Sequence, residues 1–443
     1  MRIPSLAIAC LIACSSLAHA QGSDWPTFLG PLGTSVSTEK GIITPWPKQG
    51  PKILWTKDVG PGYGMPTIAK GKLYHFDRKD NRSVRLTCMD AKTGAAIWTK
   101  EYPSVYKDRF GYNSGPRTSP VIDGDFVYTF GVEGMLHCFK ADTGDIVWSY
   151  DTAANFNVIQ NFFGVGSTPV IEGDLLIAQV GGSPQGSTSR DLFEQTLKPN
   201  GSGVVAFNKR TGKVAYKIGD ELASYASPVL ATVNNRRYCF LFARGGLLAF
   251  DPKTGKIDFH YPWRSPDVES VNAANPVVVG DRVFISETYG PGSALLKIKP
   301  TGPEPVWRDI AKFKKSMQCH WMTPIYHDSY LYGSSGRHTN NALLRCIDFE
   351  TGKVQWSEPD LKRCSLLMID GHFICLGEDG VLRLLKVNPK KYDLVSEVEL
   401  LDPKTGKQLL EYPCWAAPIV SHGLMYVRGE ERLVCLELIP QKK

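Results

Sequence analysis

One phrase recurs along this chain and limits what it can fold into. Residues 85–98 read RLTCMDAKTGAAIW: alternating apolar residues, an Asp-x-x-Thr-Gly turn, and a second short run ending on a large aromatic. The period of two before the turn is that of a half-buried strand. Asp90 can accept backbone N–H groups within the turn, and Gly94 takes up a positive φ at no steric cost. The unit is a β-hairpin whose second strand carries Trp98. It returns as LHCFKADTGDIVW (136–148), VVAFNKRTGKVAY (204–216), LLAFDPKTGKIDF (247–259) and LLRCIDFETGKVQW (343–356), with a weaker copy, LLKIKPTGPEPVW, at 295–307. The turn glycines at 94, 144, 212, 255, 302 and 352 stand 43 to 68 residues apart. A β-rich unit repeating at that period indicates a propeller or a similar closed array.

The openings of the repeats give the count. A small residue, a proline and an apolar pair recur as MPTI (65–68), SPVI (119–122), TPVI (168–171), SPVL (227–230), NPVV (275–278), TPIY (323–326) and APIV (417–420); SLLMI (365–369) fills one place without the proline. Proline is tolerated at the first residue of an inner strand, where its missing N–H need not join the ladder. The hairpins end on Trp98, Trp148, Tyr216, Phe259, Trp307 and Trp356, and a seventh outer strand falls at 394–400 or 409–411. The eighth opening runs to residue 438 and stops without an outer strand, while 51–57, carrying Trp55, is an outer strand without a beginning. Joining the two closes the ring and removes exposed edges. The expectation is all-β: an eight-bladed β-propeller of four-stranded antiparallel blades over 51–443, closed by the N-terminal strand joining the last blade. Length alone would suggest two or three domains, but repeats that bury their faces only against neighbours form one array. Residues 21–50 lack the repeat signature and are expected as an N-terminal arm packed along the outside, held by Trp25, Phe28 and Trp46.

The ends and the charge bound the setting. Residues 1–20, MRIPSLAIACLIACSSLAHA, have an early Arg, an apolar run and an Ala-His-Ala end. They read as a signal peptide cleaved after Ala20, sending the chain to the periplasm or cell envelope. Leu11-Ile12-Ala13-Cys14 also resembles a lipobox, and lipidation of Cys14 is the alternative that would bring membrane association. No later apolar run is long enough for a membrane-spanning helix. The net charge of +7 arises from 51 basic and 44 acidic residues spread along the chain. Patches such as 312–315 and 442–443 are short, so a solvated surface is expected and not a nucleic-acid partner. Nine cysteines follow the leader, with no C-x-x-C or zinc-like spacing. Cys88, Cys138, Cys346 and Cys435 share a repeat position with Ala206 and Ala249, as small core residues do.

Function in such an array belongs at the channel mouth, on loops just before each inner strand. The candidate ligand-binding residues there are Asn113, Arg117, Phe163, Tyr225, Asn272, His320, Trp321, Arg363 and Trp415. The set is aromatic and basic with hardly a carboxylate, Glu287 and Asp267 being the nearest. A flat anionic molecule would stack on Trp321 or Trp415 and pair with Arg117 or Arg363; alternatively the aromatics simply plug the channel. His320, His327 and His338 lack metal-ligand spacing. The turn aspartates recur once per repeat, which marks them as caps and not catalysts. The longest insertion, 181–201, is expected as a mobile loop over one face, a lid or a partner contact.

The phrase A-x-D-x-x-T-G-x-x-x-W resembles the PQQ-like (pyrroloquinoline quinone) repeat of the quinoprotein alcohol dehydrogenase-like superfamily, over nearly the whole mature chain. Asp24-Trp25-Pro26, Phe28, Gly30-Pro31, Trp46-Pro47 and Leu54-Trp55 are similar to secreted bacterial members. The resemblance implies the propeller specifically, but two kinds of function, because the superfamily holds calcium–PQQ dehydrogenases and cofactor-free scaffolds such as the assembly lipoprotein BamB. A dehydrogenase of this type would carry an adjacent Cys–Cys pair and calcium held by oxygen ligands. This chain has no such pair, and offers Asn113, Asn272 and Asn275 near the mouth. The expectation is therefore an exported, non-catalytic, BamB-like scaffold without catalytic residues, metal or cofactor. It would take a protein partner, or a small-molecule or polymer ligand, on the propeller face. The alternatives are a PQQ- and calcium-dependent oxidoreductase and a carbohydrate or polymer binder using the same mouth. Fold alone does not choose between them.

Overall fold

A computed structural model describes residues 22–159, 162–311 and 313–440; the leader with Cys14, Lys312 and the terminal lysines lie outside them. Within the described residues the strands group into eight sheets whose four main strands pair antiparallel, in chain order from the axis outwards in seven of them. Blade one is Thr67–Ala69, Lys72–Asp80, Ser83–Asp90 and Ala96–Pro103. Blade eight is Ile419–Ser421, Leu424–Arg428 and Arg432–Glu437, completed by Lys52–Asp58 from the other end of the chain. Trp55 stands opposite Cys435 there as Trp98 stands opposite Cys88 in blade one. The seventh outer strand is Leu394–Glu399. The first strands of neighbouring blades touch, so they surround the axis.

The repeated phrase works between blades as well as within them. Asp90 Oδ1 accepts from the N–H and the hydroxyl of Thr93 at 2.8 Å each, and Gly94 N–H closes the turn on Asp90 O at 2.9 Å. The outer-strand aromatic then reaches the turn of the following blade. Trp98 Nε1 donates to Ala141 O at 3.0 Å, Trp148 to Lys209 O at 2.9 Å and Trp307 to Phe349 O at 2.9 Å. The turn glycine of that next blade lies under the indole: a Cβ on Gly144 would stand 2.6 Å from Trp98, and one on Gly212 2.7 Å from Trp148. Gly144, at φ +71°, is thus required twice, by its backbone angle and by the ring above it. Trp55 applies the same contact to Ala91 O and Gly94, so the closing blade is joined as the others are.

The nine described cysteines are buried free thiols. Those opposite the outer aromatics, such as Cys88 and Cys435, also face Tyr74 and Tyr426 on the second strands.

The N-terminal arm, expected along the outside, instead follows the axial edges of inner strands at Trp25 and at Val36–Ser37; only its end reaches the outer side, where Trp46 N–H donates to Ser396 Oγ of the seventh outer strand at 2.9 Å. Trp25 bridges Ile68 of the inner strand of blade one, with paired N–H···O contacts of 2.8 Å, and is fully buried. Ile122 N–H of blade two donates to Pro26 O at 2.9 Å. Val36–Ser37 adds a parallel fifth strand to the axial edge of Cys364–Ile369, the inner strand that lacks the opening proline and is six residues long where the proline-led ones are mostly three. Glu39, buried, then accepts from the N–H groups of Ser23, His422 and Gly423, and Asp370 accepts from Gly41 N–H. Both limbs of the arm are therefore held at the end of the ring that carries the turns between first and second strands. Hydrophobicity explains the placement: Trp25, Leu29, Ile42 and Trp46 join the core of blades one, seven and eight. Truncating a buried aromatic of this size removes about 3–5 kcal/mol. We expect Trp25→Ala to lower the unfolding free energy in urea by that amount; an unchanged midpoint would mean the arm is not seated in the channel.

Candidate functional site

The loops that lead into the inner strands meet at the end of the ring opposite those turns, around a cavity of about 190 Å³. Arg117, Phe163, Tyr225, His320, Trp321, Arg363 and Trp415 all line it. Asn113 and Asn272 do not, and each has a positioning task instead. Asn113 donates through its amide to both oxygens of Glu430 at 3.0 Å, while its backbone N–H donates to the Tyr63 hydroxyl at 3.2 Å. Asn272 is buried; its amide donates to Ala243 O at 2.7 Å, and its own carbonyl accepts from Ala226 N–H at 2.9 Å. The floor comes from the tip of the arm. Phe28, Leu29 and Ser35 line the cavity from below, Leu29 in the left-handed region at φ +62°.

The two candidate arginines are each matched by a buried carboxylate, contrary to the expectation of a mouth nearly free of acids. Arg117 pairs with Asp108 at 2.8 Å and also donates to the carbonyls of Gly115 and Asn113. Its guanidinium lies over the Tyr63 ring, 5.4 Å from the centroid. Arg363 meets Glu378 at 2.7 Å through Nη2 and 3.0 Å through Nε, and Glu378 is wholly buried. The same carboxylate accepts from Trp415 Nε1 at 2.9 Å. Above it the guanidinium lies over both indoles, 4.6 Å from Trp321 and 5.2 Å from Trp415, whose rings are 5.0 Å apart. Burial pushes Glu378 up, but the hydrogen bonds from Arg363 and Trp415 outweigh it and hold the acid below its ordinary value.

His320 Nε2 lies 3.2 Å from the Tyr289 hydroxyl, and Nδ1 has no partner among the described residues. Burial, then the charges of Arg363 and Arg337, lower its pKa to about 3, so the imidazole is neutral near pH 7. Glu287, the nearest acid expected from the sequence, sits beyond the cavity wall. Its oxygens accept from the Ser270 hydroxyl at 3.0 Å and Tyr289 N–H at 2.9 Å, and burial raises its pKa to about 7. Among the described residues no group of three His, Cys, Asp or Glu is placed to hold a metal ion. The insertion at 181–201 is packed down more than a free loop would be: Leu192 and Leu197 are buried against Tyr225 and Phe162, and Asn200 donates to Ser183 O at 2.8 Å.

Glu378 and Glu430 escaped sequence reasoning for one reason. They sit past the ends of second strands, far in sequence from the loops feeding the channel. A signal was available, since each is the seventh residue after the turn glycine (371 or 423) of its own blade, as the anticipated Glu287 is after Gly280. Asp108 lies in a connection with no repeat pattern.

The match to known proteins follows this geometry. A protein-family model described as outer membrane protein assembly factor BamB matches residues 82–358. The BamB of Burkholderia pseudomallei (strain K96243) is 24% identical over 254 residues, 57% of this chain and 58% of that protein. Across the curated relatives matched, the chain spans between 10% and 58% of their own length. Among solved structures, Moraxella catarrhalis BamB is similar at TM-score 0.56 and 14% identity, covering 88% of this chain and 99% of that one. The quinohemoprotein alcohol dehydrogenase of Comamonas testosteroni is similar at TM-score 0.63 and 12% identity, covering 95% and 81%. Likeness at that identity speaks for the fold alone.

Two outcomes test the site's electrostatics. Removing one partner of a buried ion pair costs about 3–5 kcal/mol, whereas replacing both by apolar residues is often neutral. Glu378→Ala should therefore destabilise by that amount, and Arg363→Met with Glu378→Leu should recover most of it in chemical denaturation. Glu287 has a folded pKa above its unfolded value, so its contribution is complete below about pH 4.5 and is lost as pH rises through about 7. Stability measured from pH 4.5 to 7 should fall with a slope of at most about 1.4 kcal/mol per unit from this group, and Glu287→Gln should flatten it.

Proposed function

The chain belongs to the PQQ-repeat propeller family described as outer membrane protein assembly factor BamB, and from that membership we propose that it is an exported, non-catalytic binding propeller that engages a protein partner with the face bearing the cavity. The observation that carries this reading is the saturation of the mouth. Arg117 and Arg363, the cations an anionic quinone would use, are each held by a buried carboxylate.

The calcium–quinone reading fits the residues poorly on three further counts. A cavity of about 190 Å³ is little larger than the ~150 Å³ that takes one benzene ring, and is small for a fused tricyclic cofactor. Glu378 and Asp108 are each taken up by an arginine, and among the described residues no carboxylate lines the cavity for a hard cation that wants six to eight oxygen ligands. His320, with a pKa of about 3, is a weak base at neutral pH, and Glu287 lies outside the cavity. For a partner protein the face is well suited. Phe110, Tyr112, Phe193 and Tyr412 are 41–55% exposed around the mouth, and Phe110 and Tyr112 both pack on Phe163. Aromatics and arginine are the residue types that interface centres favour. The matched relatives include proteins named as assembly factors, which agrees with a partner-binding task. A sugar polymer is less well served, because Arg363 already lies over both indoles.

The test is a titration of the mature protein with PQQ and Ca²⁺, following quinone absorbance and melting temperature. Ligand at a hundred times its Kd would add about 2.7 kcal/mol of stability. We expect no saturable change in either signal. Saturable binding with dye-linked alcohol oxidation would replace this reading with the oxidoreductase.

A further inference from the structure

We infer that the cavity is a binding site for an uncharged, single-ring, mainly apolar molecule that carries a hydrogen-bond acceptor. Four features of the site point to that class.

The first is size. A space of about 190 Å³ exceeds the ~150 Å³ benzene-binding cavity by roughly a few heavy atoms, and falls short of the ~300 Å³ at which drug-sized pockets begin. The second is shape and chemistry. Trp321, Trp415, Tyr225 and Phe163 wall the space, and Phe28 and Leu29 of the arm floor it. The arm thus closes the cavity from below, and its aromatic walls are surfaces that another ring packs against.

Charge is the third. The cationic side chains on the lining form neutral pairs, Arg117 with Asp108 and Arg363 with Glu378. A charged ligand would give up its hydration and meet no uncompensated counter-ion. The fourth is the hydrogen-bonding balance. The Tyr225 hydroxyl accepts from Phe163 N–H at 2.8 Å, and the Tyr63 hydroxyl accepts from Asn113 N–H at 3.2 Å. Neither phenol donates to any other group among the described residues, although each hydroxyl has one proton to give. A ligand with a carbonyl or ether oxygen completes one or both. A pyranose, with a hydroxyl on most ring atoms, asks for far more polar partners than these walls hold.

This site goes beyond the scaffold reading, because a partner resting on the exposed rim does not need it. Its failure would leave that reading in place, and quinone binding would overturn that reading without bearing on single rings. The probe is acetophenone, one ring with a carbonyl acceptor and no donor. Binding is followed by calorimetry and by fluorescence of the mouth tryptophans, beside toluene, benzoate and benzylammonium. We expect saturable acetophenone binding, no detectable binding of the two ions, and toluene weaker by roughly fivefold, the worth of one net hydrogen bond. Tyr225→Phe should weaken acetophenone by about the same factor and leave toluene unchanged. Ala273→Trp, which places a ring in the space, should abolish both while preserving the melting temperature. Failure of acetophenone to bind, benzoate binding equally well, or binding untouched by Ala273→Trp would each overturn the inference.

Discussion

The ring depends on one contact made at five of its eight blade boundaries: an outer-strand aromatic lying on the turn glycine of the next blade. Trp55, Trp98, Trp148 and Trp307 all donate through Nε1 to a carbonyl in the following blade and cover its glycine. Each contact combines a large apolar burial with a satisfied N–H, which is where tryptophan is worth most. Because the acceptor is a backbone carbonyl fixed by the Asp-x-x-Thr-Gly turn, the contact also sets the angle between blades. An error in one turn would propagate round the ring, so the capping bonds of Asp90, Asp251 and Asp348 serve the closure as much as their own hairpins. Tyr216 performs the same task through its hydroxyl, donating to Pro252 O at 2.7 Å.

Much of this was legible because a repeat states its rule several times. The blade count, the shared eighth blade and the capping role of Asp90, Asp251 and Asp348 follow from residues that recur at fixed offsets, whereas Asp142 accepts from Lys72 instead of capping its turn. The arm was misplaced because it occurs once. Its aromatics and prolines say that it packs against something apolar, and both the outer and axial surfaces of a propeller qualify. The decisive feature was the missing proline at 365–369, since a longer inner strand with a free axial edge invites another strand. At the mouth, the aromatics and arginines were visible on the loops before the inner strands. Their carboxylate partners were not, because Glu378 reaches Arg363 from the far end of a neighbouring strand. The pairing lies across two adjacent strands of one blade, and its trace in the sequence is the seven-residue offset of Glu378 from Gly371.

The arm and the mouth belong to one design. A ring of eight blades leaves an axial space, and the polar backbone edges of its inner strands face into it. Trp25, Pro26 and Val36–Ser37 satisfy several of those edges. The far end stays open, floored by Leu29 and Phe28, and a second space remains between the arm tip and the inner strands of blades two to four. The chain thus spends its own terminus on the role that a bound group can play in other closed rings, filling the axis and supporting the mouth from beneath.

Charge divides that mouth into two zones. Inside, the ion pairs cancel, and His320 is kept neutral by burial and by the arginines beside it. Towards the rim, Arg337 stacks 4.2 Å from the Tyr289 centroid and forms no ion pair among the described residues. A buried neutral pair contributes little net stability but fixes the orientation of both its members; here it orients Trp415, whose N–H shares Glu378. An unpaired cation near solvent acts at longer range and affects the rate of approach more than the strength of holding. The wall is therefore built to hold something uncharged in one orientation, while the rim acts on whatever arrives.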